Sequence, residues 1–495
     1  MSFYNNVIDI RRDTVGVRIR RIRIRADALL GQGRRNAEGI TEGVNGSGVP
    51  WADFALFIDN PLIALQGSSF EVSDSDLWAT WAVFASHGPL YRTDAYTPGA
   101  RYGLIQRNTL YHGAGCHWFG QTRELIFESN QCIGNNPEAG GNSIQSYGGG
   151  YAQHIYMGSN EVADGYGGDH EVMTFDNPGG GYLGPVDSVA SDGVHLSIIN
   201  VSAVYDGTMP SGQPRPCTGP TFQCQVLKGG AMVVFSGQGQ GQYRRIVSWP
   251  DNSGTSWNWT HGTFEIDRPL DAPLGPDSVV QVMPYRGQMI FHRNHYRDCG
   301  VFQLYSYALE NLVHSNIMER GGGFVNRGFD VRKSQKGIGG GYVNPAQMNQ
   351  FIGNEIVPGA ASPHQGHGIG ADWGDSDEAG GFSVFSAASA INRYLIFKRN
   401  RLAGVIFIGV SDDILVEANV IHDTPATESS FRQVLYVQPG NNSTLSVGNI
   451  VKPIGDSAGD DGDDEAPLKT DGSSAVAAAV VMTYFGPSRT ANHGR

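Results

Sequence analysis

A short phrase that ends in asparagine recurs along this chain of 495 residues and constrains its fold more than any other feature. In each instance, two or three apolar or basic residues lead into the asparagine. The instances end at Asn108, Asn130, Asn160, Asn294, Asn316, Asn354, Asn400, Asn419 and Asn449. Two of the gaps between them are 22 residues, and others are 19, 30, 38 and 46 residues. Such gaps indicate a repeat array, with one coil per short gap and loop insertions or a second coil in the longer gaps.

A repeated coil of this length predicts a solenoid of short strands. Strands of successive coils would stack at about 4.8 Å, and each corner would need a residue that tolerates the left-handed conformation. Asparagine tolerates it, and stacked asparagine amides can hydrogen-bond into a ladder. Glycine, with 68 of 495 residues, has about twice its usual share. The sequence therefore predicts an all-β chain with asparagine at its corners.

The asparagine-cornered coil resembles the right-handed parallel β-helix of pectin-lyase-like proteins and of many phage tailspikes. The resemblance covers residues 5–455 and rests on the repeat. It implies a right-handed parallel β-helix solenoid, with function on its outer wall and loops. A β-propeller or a β-sandwich is the alternative, but neither explains why asparagine returns so often behind an apolar start.

Composition divides the chain into four parts. Residues 1–224 and 289–455 carry the asparagine phrases and are predicted to form the N-terminal and C-terminal parts of the β-helix. Residues 225–288 interrupt them with short apolar runs and glycine-rich turns, which predicts a small antiparallel β insertion. Residues 456–495 combine an aspartate-rich stretch with an apolar run, and we expect an acidic loop followed by a capping strand or tail.

Charge and hydropathy argue against two kinds of partner, nucleic acid and a membrane. The net charge of −13 argues against nucleic acid as a partner, and the lack of any run of 18 apolar residues argues against a membrane span. No metal or cofactor is expected, although the acidic residues 460–465 leave Ca²⁺ open. The first residues lack the apolar segment of a signal peptide. The resemblance nevertheless implies a secreted or cell-surface protein, or a component of a phage particle.

Residues 164–176 are the leading candidate for a catalytic site because they hold four acids and one histidine. The catalytic residues that we expect there are Asp169, His170, Glu171 and Asp176. On a strand, Asp169 and Glu171 would point the same way about 6.6 Å apart, and a carboxyl separation of roughly 6.5–9.5 Å suits an inverting glycoside hydrolase. The alternatives are that the chain bends after Glu171, that His170 and Asp176 face outward instead, or that these acids only cap turns.

Aromatic residues near this stretch and in a second polar stretch are expected to bind sugar rings. Tyr151 and Tyr166 belong to the first group. In the second, His367 stands between two glycines and resembles an element of polygalacturonases, and Trp373 follows among acids. The nearest pair of adjacent aspartates follows His367, whereas in that family the pair precedes the histidine. An irregular loop between coils is the alternative.

A third group is predicted from positions relative to the asparagines. If coils stack in register, residues at equal distances from their asparagine meet, which brings Asp298 and Glu319 close together. Tyr305 and Arg320 would lie nearby and bind substrate, and either could act as the base of a polysaccharide lyase. The alternative is an ordinary surface ion pair.

Three functions fit these features. We favour a glycoside hydrolase that acts on a polysaccharide through paired carboxylates. A lyase acting on a uronate polymer is the first alternative, which needs a positively charged site that the net negative charge disfavours. A non-catalytic phage-type fibre or surface glycan-binding protein is the second. The resemblance to tailspikes implies a homotrimer.

Overall fold

The computed structural model is all-β, and the residues it describes include no helix. It describes residues 7–26, 61–79, 82–86, 100–112, 115–120, 122–134, 142–143, 152–165, 171–175, 182–199, 229–248, 261–283, 286–305, 307–330, 343–344, 346–357, 382–386, 392–403, 406–408, 411–422, 435–437 and 442–452.

Three long parallel sheets, named A, B and C here, make up most of the described chain. The strands of sheet A are β1 (Ile8–Ile10), β4 (Ile63–Leu65), β7 (Ala82–Ala85), β10 (Gly115–Trp118), β13 (Asn142–Ser143), β16 (Glu171–Thr174), β26 (Val301–Tyr305), β30 (Phe324–Asp330), β34 (Phe382–Ser386), β37 (Ile406–Ile408) and β40 (Leu435–Val437), with β31 (Val343–Asn344) paired antiparallel to β30. The strands of sheet B are β2 (Arg18–Arg20), β5 (Glu71–Ser73), β8 (Arg101–Gln106), β11 (Arg123–Glu128), β14 (Gln153–Gly158), β24 (Ile290–His292), β28 (Leu312–His314), β32 (Gln350–Ile352), β35 (Asn392–Lys398), β38 (Ser411–Glu417) and β41 (Asn442–Val447), with the short β23 (Arg286–Gly287) and β27 (Ala308–Leu309) beside them.

The strands of sheet C are β3 (Arg23–Ala26), β6 (Asp76–Ala79), β9 (Thr109–His112), β12 (Gln131–Gly134), β15 (Glu161–Ala163), β25 (His295–Arg297), β29 (Ile317–Glu319), β33 (Glu355–Val357), β36 (Arg401–Ala403), β39 (Val420–His422) and β42 (Ile450–Lys452). The chain therefore visits A, B and C in turn before it returns to A. Each visit adds one parallel strand beside the previous one in the same sheet. This order is compatible with a parallel β-helix.

The three sheets share one hydrophobic core. Inward-pointing residues such as Leu77 of sheet C, Phe127 of sheet B and Phe302 of sheet A belong to a single buried cluster. Phenylalanine rings contact one another within it: the Phe302 ring meets Phe291 of sheet B edge to face at a centroid distance of 5.0 Å, and it lies 5.5 Å from Phe324 on the next strand of sheet A. Because side chains alternate along a strand, the outward positions carry the polar residues that are available for function.

The asparagines predicted from the repeat form a continuous ladder at the corner between sheets B and C. From Asn108 to Asn449, each side-chain Nδ2 donates to Oδ1 of the next asparagine at 2.9–3.2 Å. The backbone N–H of each donor residue bonds to the same oxygen. Each Nδ2 also reaches a strand carbonyl, as Asn316 does with Phe291 O at 2.9 Å. The donors and acceptors of these buried amides are therefore all hydrogen-bonded only when every coil contributes an asparagine at this corner.

The prediction that asparagine itself adopts the left-handed conformation is wrong. The residue before each of the nine asparagines has a φ of 53–64°, and none of the nine has a positive φ. Seven of these preceding residues are not glycine; they are Arg107, Ser129, Ser159, Arg293, Ser315, Arg399 and Ala418. The asparagine side chain must point into the corner to reach its neighbour, so the residue before it makes the turn.

Six antiparallel strands form a closed barrel, which is inserted in the chain between β16 of sheet A and β23 of sheet B. They are β17 (Tyr182–Val189), β18 (His195–Ile199), β19 (Ala231–Ser236), β20 (Tyr243–Ser248), β21 (His261–Ile266) and β22 (Val279–Met283). Four of them lie within the predicted insertion at 225–288, and two precede it. The ladder continues past the barrel, because Asn160 Nδ2 donates directly to Asn294 Oδ1 at 2.9 Å.

The barrel packs against the corner between sheets A and B. Ala231, Val233 and Met283 of the barrel share a buried cluster with Tyr307 and Leu309. Buried amides complete the contact: Gln347 Nε2 donates to Gln281 Oε1, and Gln153 Nε2 donates to Gly229 O, both at 3.3 Å. The barrel and the parallel sheets are therefore joined by a mixed apolar and polar seam.

We expect Asn316→Ala to destabilise the protein by about 3 kcal/mol, because it breaks the ladder in the middle and leaves buried donors and acceptors without partners. Asn449→Ala is the matched control, since Asn449 is the last rung among the described residues and its bonds are only partly buried. Urea unfolding measures both. Equal losses in the two variants would contradict a cooperative ladder.

A second prediction concerns His112, which is fully buried and has no hydrogen-bond partner among the described residues. Desolvation lowers its pKa to about 3, compared with about 6.5 in an unfolded chain. The folded state holds the ring neutral, so its contribution to stability is complete above the unfolded pKa and is lost as the pH falls toward the folded one. We expect His112→Leu to reduce the loss of thermal stability between neutral pH and about pH 4. An unchanged pH dependence would contradict this assignment.

Candidate functional site

The structure describes only part of the predicted site. Among the ten predicted site residues, those outside the described residues are Tyr151, Tyr166, Asp169, His170, Asp176, His367 and Trp373. Glu171 is the first residue of β16 and Tyr305 the last residue of β26, and only their backbones are described. Arg320 is the one predicted residue whose side chain is described.

The two ends of the predicted catalytic stretch lie against a segment that is distant in sequence. Gly300 N donates to Gly165 O at 3.0 Å, and Glu171 pairs with Val301 across sheet A. Both contacts anchor the stretch beside the residues that follow β25. The described parts of the first and third predicted groups, which the sequence presents more than 120 residues apart, are therefore neighbours at the corner between sheets C and A.

Three charged residues stack at this corner. Asp164, Asp298 and Arg320 each follow a strand of sheet C, and each has a positive φ of 49–56°. Asp164 N donates to Arg297 O at 3.2 Å, and Asp298 N donates to Glu319 O at 3.0 Å. These bonds hold the three residues on successive coils, about 4.8 Å apart along the stack.

Arg320 binds Asp298 through both carboxylate oxygens. Arg320 Nε lies 2.6 Å from Asp298 Oδ1, and Nη2 lies 2.7 Å from Oδ2. The Asp298 side chain is 19% exposed, so water screens the pair only in part. The hydrogen bond and the charge of Asp298 raise the pKa of Arg320. Arg320 therefore stays a cation and is poorly suited to act as the base of a lyase, although it remains suited to binding an anionic or hydroxyl group.

Further charged residues surround this pair. His295 Nε2 lies 3.2 Å from Glu319 Oε1, and Arg297 Nε lies 3.8 Å from Asp298 Oδ2. Glu161 is paired with His295 across sheet C. We name the whole set the charged corner; it consists of Glu161, Asp164, His295, Arg297, Asp298, Glu319 and Arg320. Its four carboxylates and two guanidinium groups give it a formal charge of −2, with His295 left out of the count.

His295 and Arg297 were not among the residues predicted from the sequence. A signal for both was present, because His295 is the first residue after Asn294 and Arg297 is the third. Glu161 and Glu319 stand at the same two distances from Asn160 and Asn316. Applying the equal-distance rule to every coil would have found the full set.

The described residues include no cluster of three or more His, Cys, Asp or Glu that could hold a metal ion. The acidic residues 460–465, where calcium was left open, lie outside the described residues. Cys116, Cys132 and Cys299 are buried thiols, and burial raises the pKa of Cys116 and of Cys299.

Across the described residues, no helix has the length and apolar character needed to span a membrane. No protein-family model matches this chain, and no curated protein matches it either. The function is therefore inferred from the residues themselves.

We expect Arg320→Leu to lower the free energy of unfolding more than any change at Arg297, because the partly buried Asp298 carboxylate then loses its bidentate partner. Arg297→Leu is the control. Arg297 is half-exposed and stands farther from the same carboxylate, so its loss should change stability by less than about 0.5 kcal/mol. Urea unfolding at low salt measures both variants, and similar losses would contradict the distinct role of Arg320.

Proposed function

We propose that this protein is a right-handed parallel β-helix of the pectin-lyase-like kind and that it hydrolyses a polysaccharide. The observation that carries the proposal is the anchoring of the stretch around Glu171 beside the charged corner. Acidic residues from two distant parts of the chain meet there on an outward-facing edge. An extended polymer can lie along such an edge and cross several coils.

Glycoside hydrolysis needs one carboxyl group that donates a proton and a second carboxylate that activates water or attacks the sugar. In this proposal Asp169 and Glu171 fill these two roles, assisted by His170 and Asp176. Arg320, a permanent cation held by Asp298, would contact sugar hydroxyls.

The aromatic residues supply the remaining substrate contacts in this proposal. Tyr151, Tyr166, Tyr305 and Trp373 would provide flat surfaces for sugar rings, and His367 a further polar contact. The proposal also includes a secreted or cell-surface protein or a phage particle, as the resemblance to pectin-lyase-like proteins and tailspikes implies.

Hydrolysis is favoured over a lyase reaction by the charge of the corner. A lyase must neutralise the uronate carboxylate of its substrate, whereas four carboxylates face two guanidinium groups here. A panel of neutral and acidic polysaccharides separates these functions. A hydrolase releases reducing ends only, a lyase also forms an unsaturated product that absorbs ultraviolet light, and a non-catalytic fibre protein does neither.

We expect Glu171→Gln to lower the release of reducing ends by about a hundredfold or more, because it removes an ionisable group from the acid–base pair. The matched control is Glu355→Gln, which alters a partly exposed glutamate at the first position of a strand in sheet C, two coils farther along. Thermal melting confirms that both variants fold. Wild-type turnover in Glu171→Gln would remove Glu171 from the proposed mechanism.

A further inference from the structure

The outward face of sheet B carries an apolar column that crosses several coils. Leu104, Ile126, Tyr156, Ile290 and Leu312 are in register on adjacent strands. Ile126 and Ile290 are each 42% exposed, so the column forms an open surface. Exposed apolar surfaces of this continuity mark binding sites more often than chance placement.

Ring side chains adjoin this column. The Tyr156 hydroxyl lies 3.3 Å from His292 Nδ1, and the rings of His292 and His314 are 5.3 Å apart at an angle of 31°. Partial burial, together with the nearby Arg293 and His314, lowers the pKa of His292. The ring surface formed by Tyr156 and His292 is therefore uncharged at neutral pH.

A row of polar side chains runs along the other side of the column. Glu124 Oε1 lies 3.4 Å from His154 Nδ1, and His154 Nε2 hydrogen-bonds Gln288 Oε1. Gln288 Nε2 then donates to Glu310 Oε2 and to the Tyr243 hydroxyl, both at 3.1 Å. These bonds link the row from coil to coil, and the carboxylate oxygens of Glu124 and Glu310 have lone pairs left to accept further hydrogen bonds.

The barrel stands beside this row and forms a wall. The Tyr243 hydroxyl, from barrel strand β20, donates to Glu310 of the parallel sheets. Farther along the same edge, Arg393 Nη1 donates to Phe235 O, and its guanidinium lies 4.1 Å from the centre of the Phe235 ring. The apolar column, the ring side chains, the polar row and this wall together form what we name the sheet B groove.

We propose that the sheet B groove binds a neutral oligosaccharide chain, with sugar rings on Tyr156, Ile290 and His292 and hydroxyls bonded to Gln288 and Glu310. An apolar floor with a few convergent polar groups is the usual construction of a ligand site. The choice of a glycan as the ligand rests on the proposed function, but the groove lies on a different sheet from the charged corner and needs no catalysis.

The geometry favours a neutral glycan over other polymers. A peptide bound by strand addition needs a free sheet edge, whereas β14 and β24 are paired with other strands on both sides. An anionic polymer would face the carboxylates of Glu124 and Glu310 in the polar row.

The test measures binding of cellulose-, mannan-, xylan- and starch-derived oligosaccharides by isothermal calorimetry. The protein carries Glu171→Gln, so that hydrolysis cannot consume the ligand. We expect at least one of these glycans to bind, and Ile290→Asp and Tyr156→Ala each to weaken it by about tenfold, the loss of roughly one ring contact. Tyr156→Phe, which keeps the ring, should bind nearly as well as the parent. If Tyr156→Ala does not fold, Ile290→Asp still tests the proposal.

The matched control is Ile317→Asp. Ile317 is 38% exposed and opens a three-residue strand of sheet C, as Ile290 opens one of sheet B. The affinity of Ile317→Asp for the glycan should equal that of the parent. Equal affinities in Ile290→Asp and Ile317→Asp, absence of binding to every glycan, or self-association that Ile290→Asp abolishes would each overturn the proposal. Failure of hydrolysis with binding intact would overturn the proposed function alone.

Discussion

The hydrogen bond between asparagine amides on successive coils is the interaction on which the rest of this structure depends. A buried amide without partners costs about 1–3 kcal/mol, and here each amide finds its partners only when the next coil places an asparagine at the same point. The ladder therefore sets the register of every coil against its neighbours. A slip of one residue would also turn the inward side chains outward, so the ladder and the apolar core enforce the same alignment.

Because the register is fixed, the number of residues between a side chain and its asparagine determines where that side chain lies on the protein surface. Asp298 and Arg320 are 22 residues apart in sequence and form a bidentate pair because each stands four residues after its asparagine. Asp164, the fourth residue after Asn160, joins them although the whole barrel lies between. Functional groups can therefore be assembled from remote parts of the chain without any change in the scaffold.

The parts of the fold that repeat could be predicted from sequence, whereas the barrel, which does not repeat, could be predicted only in part. All nine asparagines lie in the ladder, because the pattern is local and periodic. The barrel strand β17 has no such signal, since it pairs with β22, whose residues lie 94 to 100 positions later. Likewise, the approach of Glu171 to Val301 depends on where the chain re-enters sheet A after the barrel, which no spacing near Glu171 encodes.

Each of the three corners of a coil carries a different feature of the structure. The ladder occupies the corner between sheets B and C, the barrel emerges at the corner between A and B, and the charged residues gather at the corner between C and A. An insertion at the ladder corner would cost the buried amides their partners, whereas the bond from Asn160 to Asn294 shows that an insertion at the opposite corner costs none. The barrel could therefore be accommodated without loss of register, and at its corner it adds a wall to sheet B.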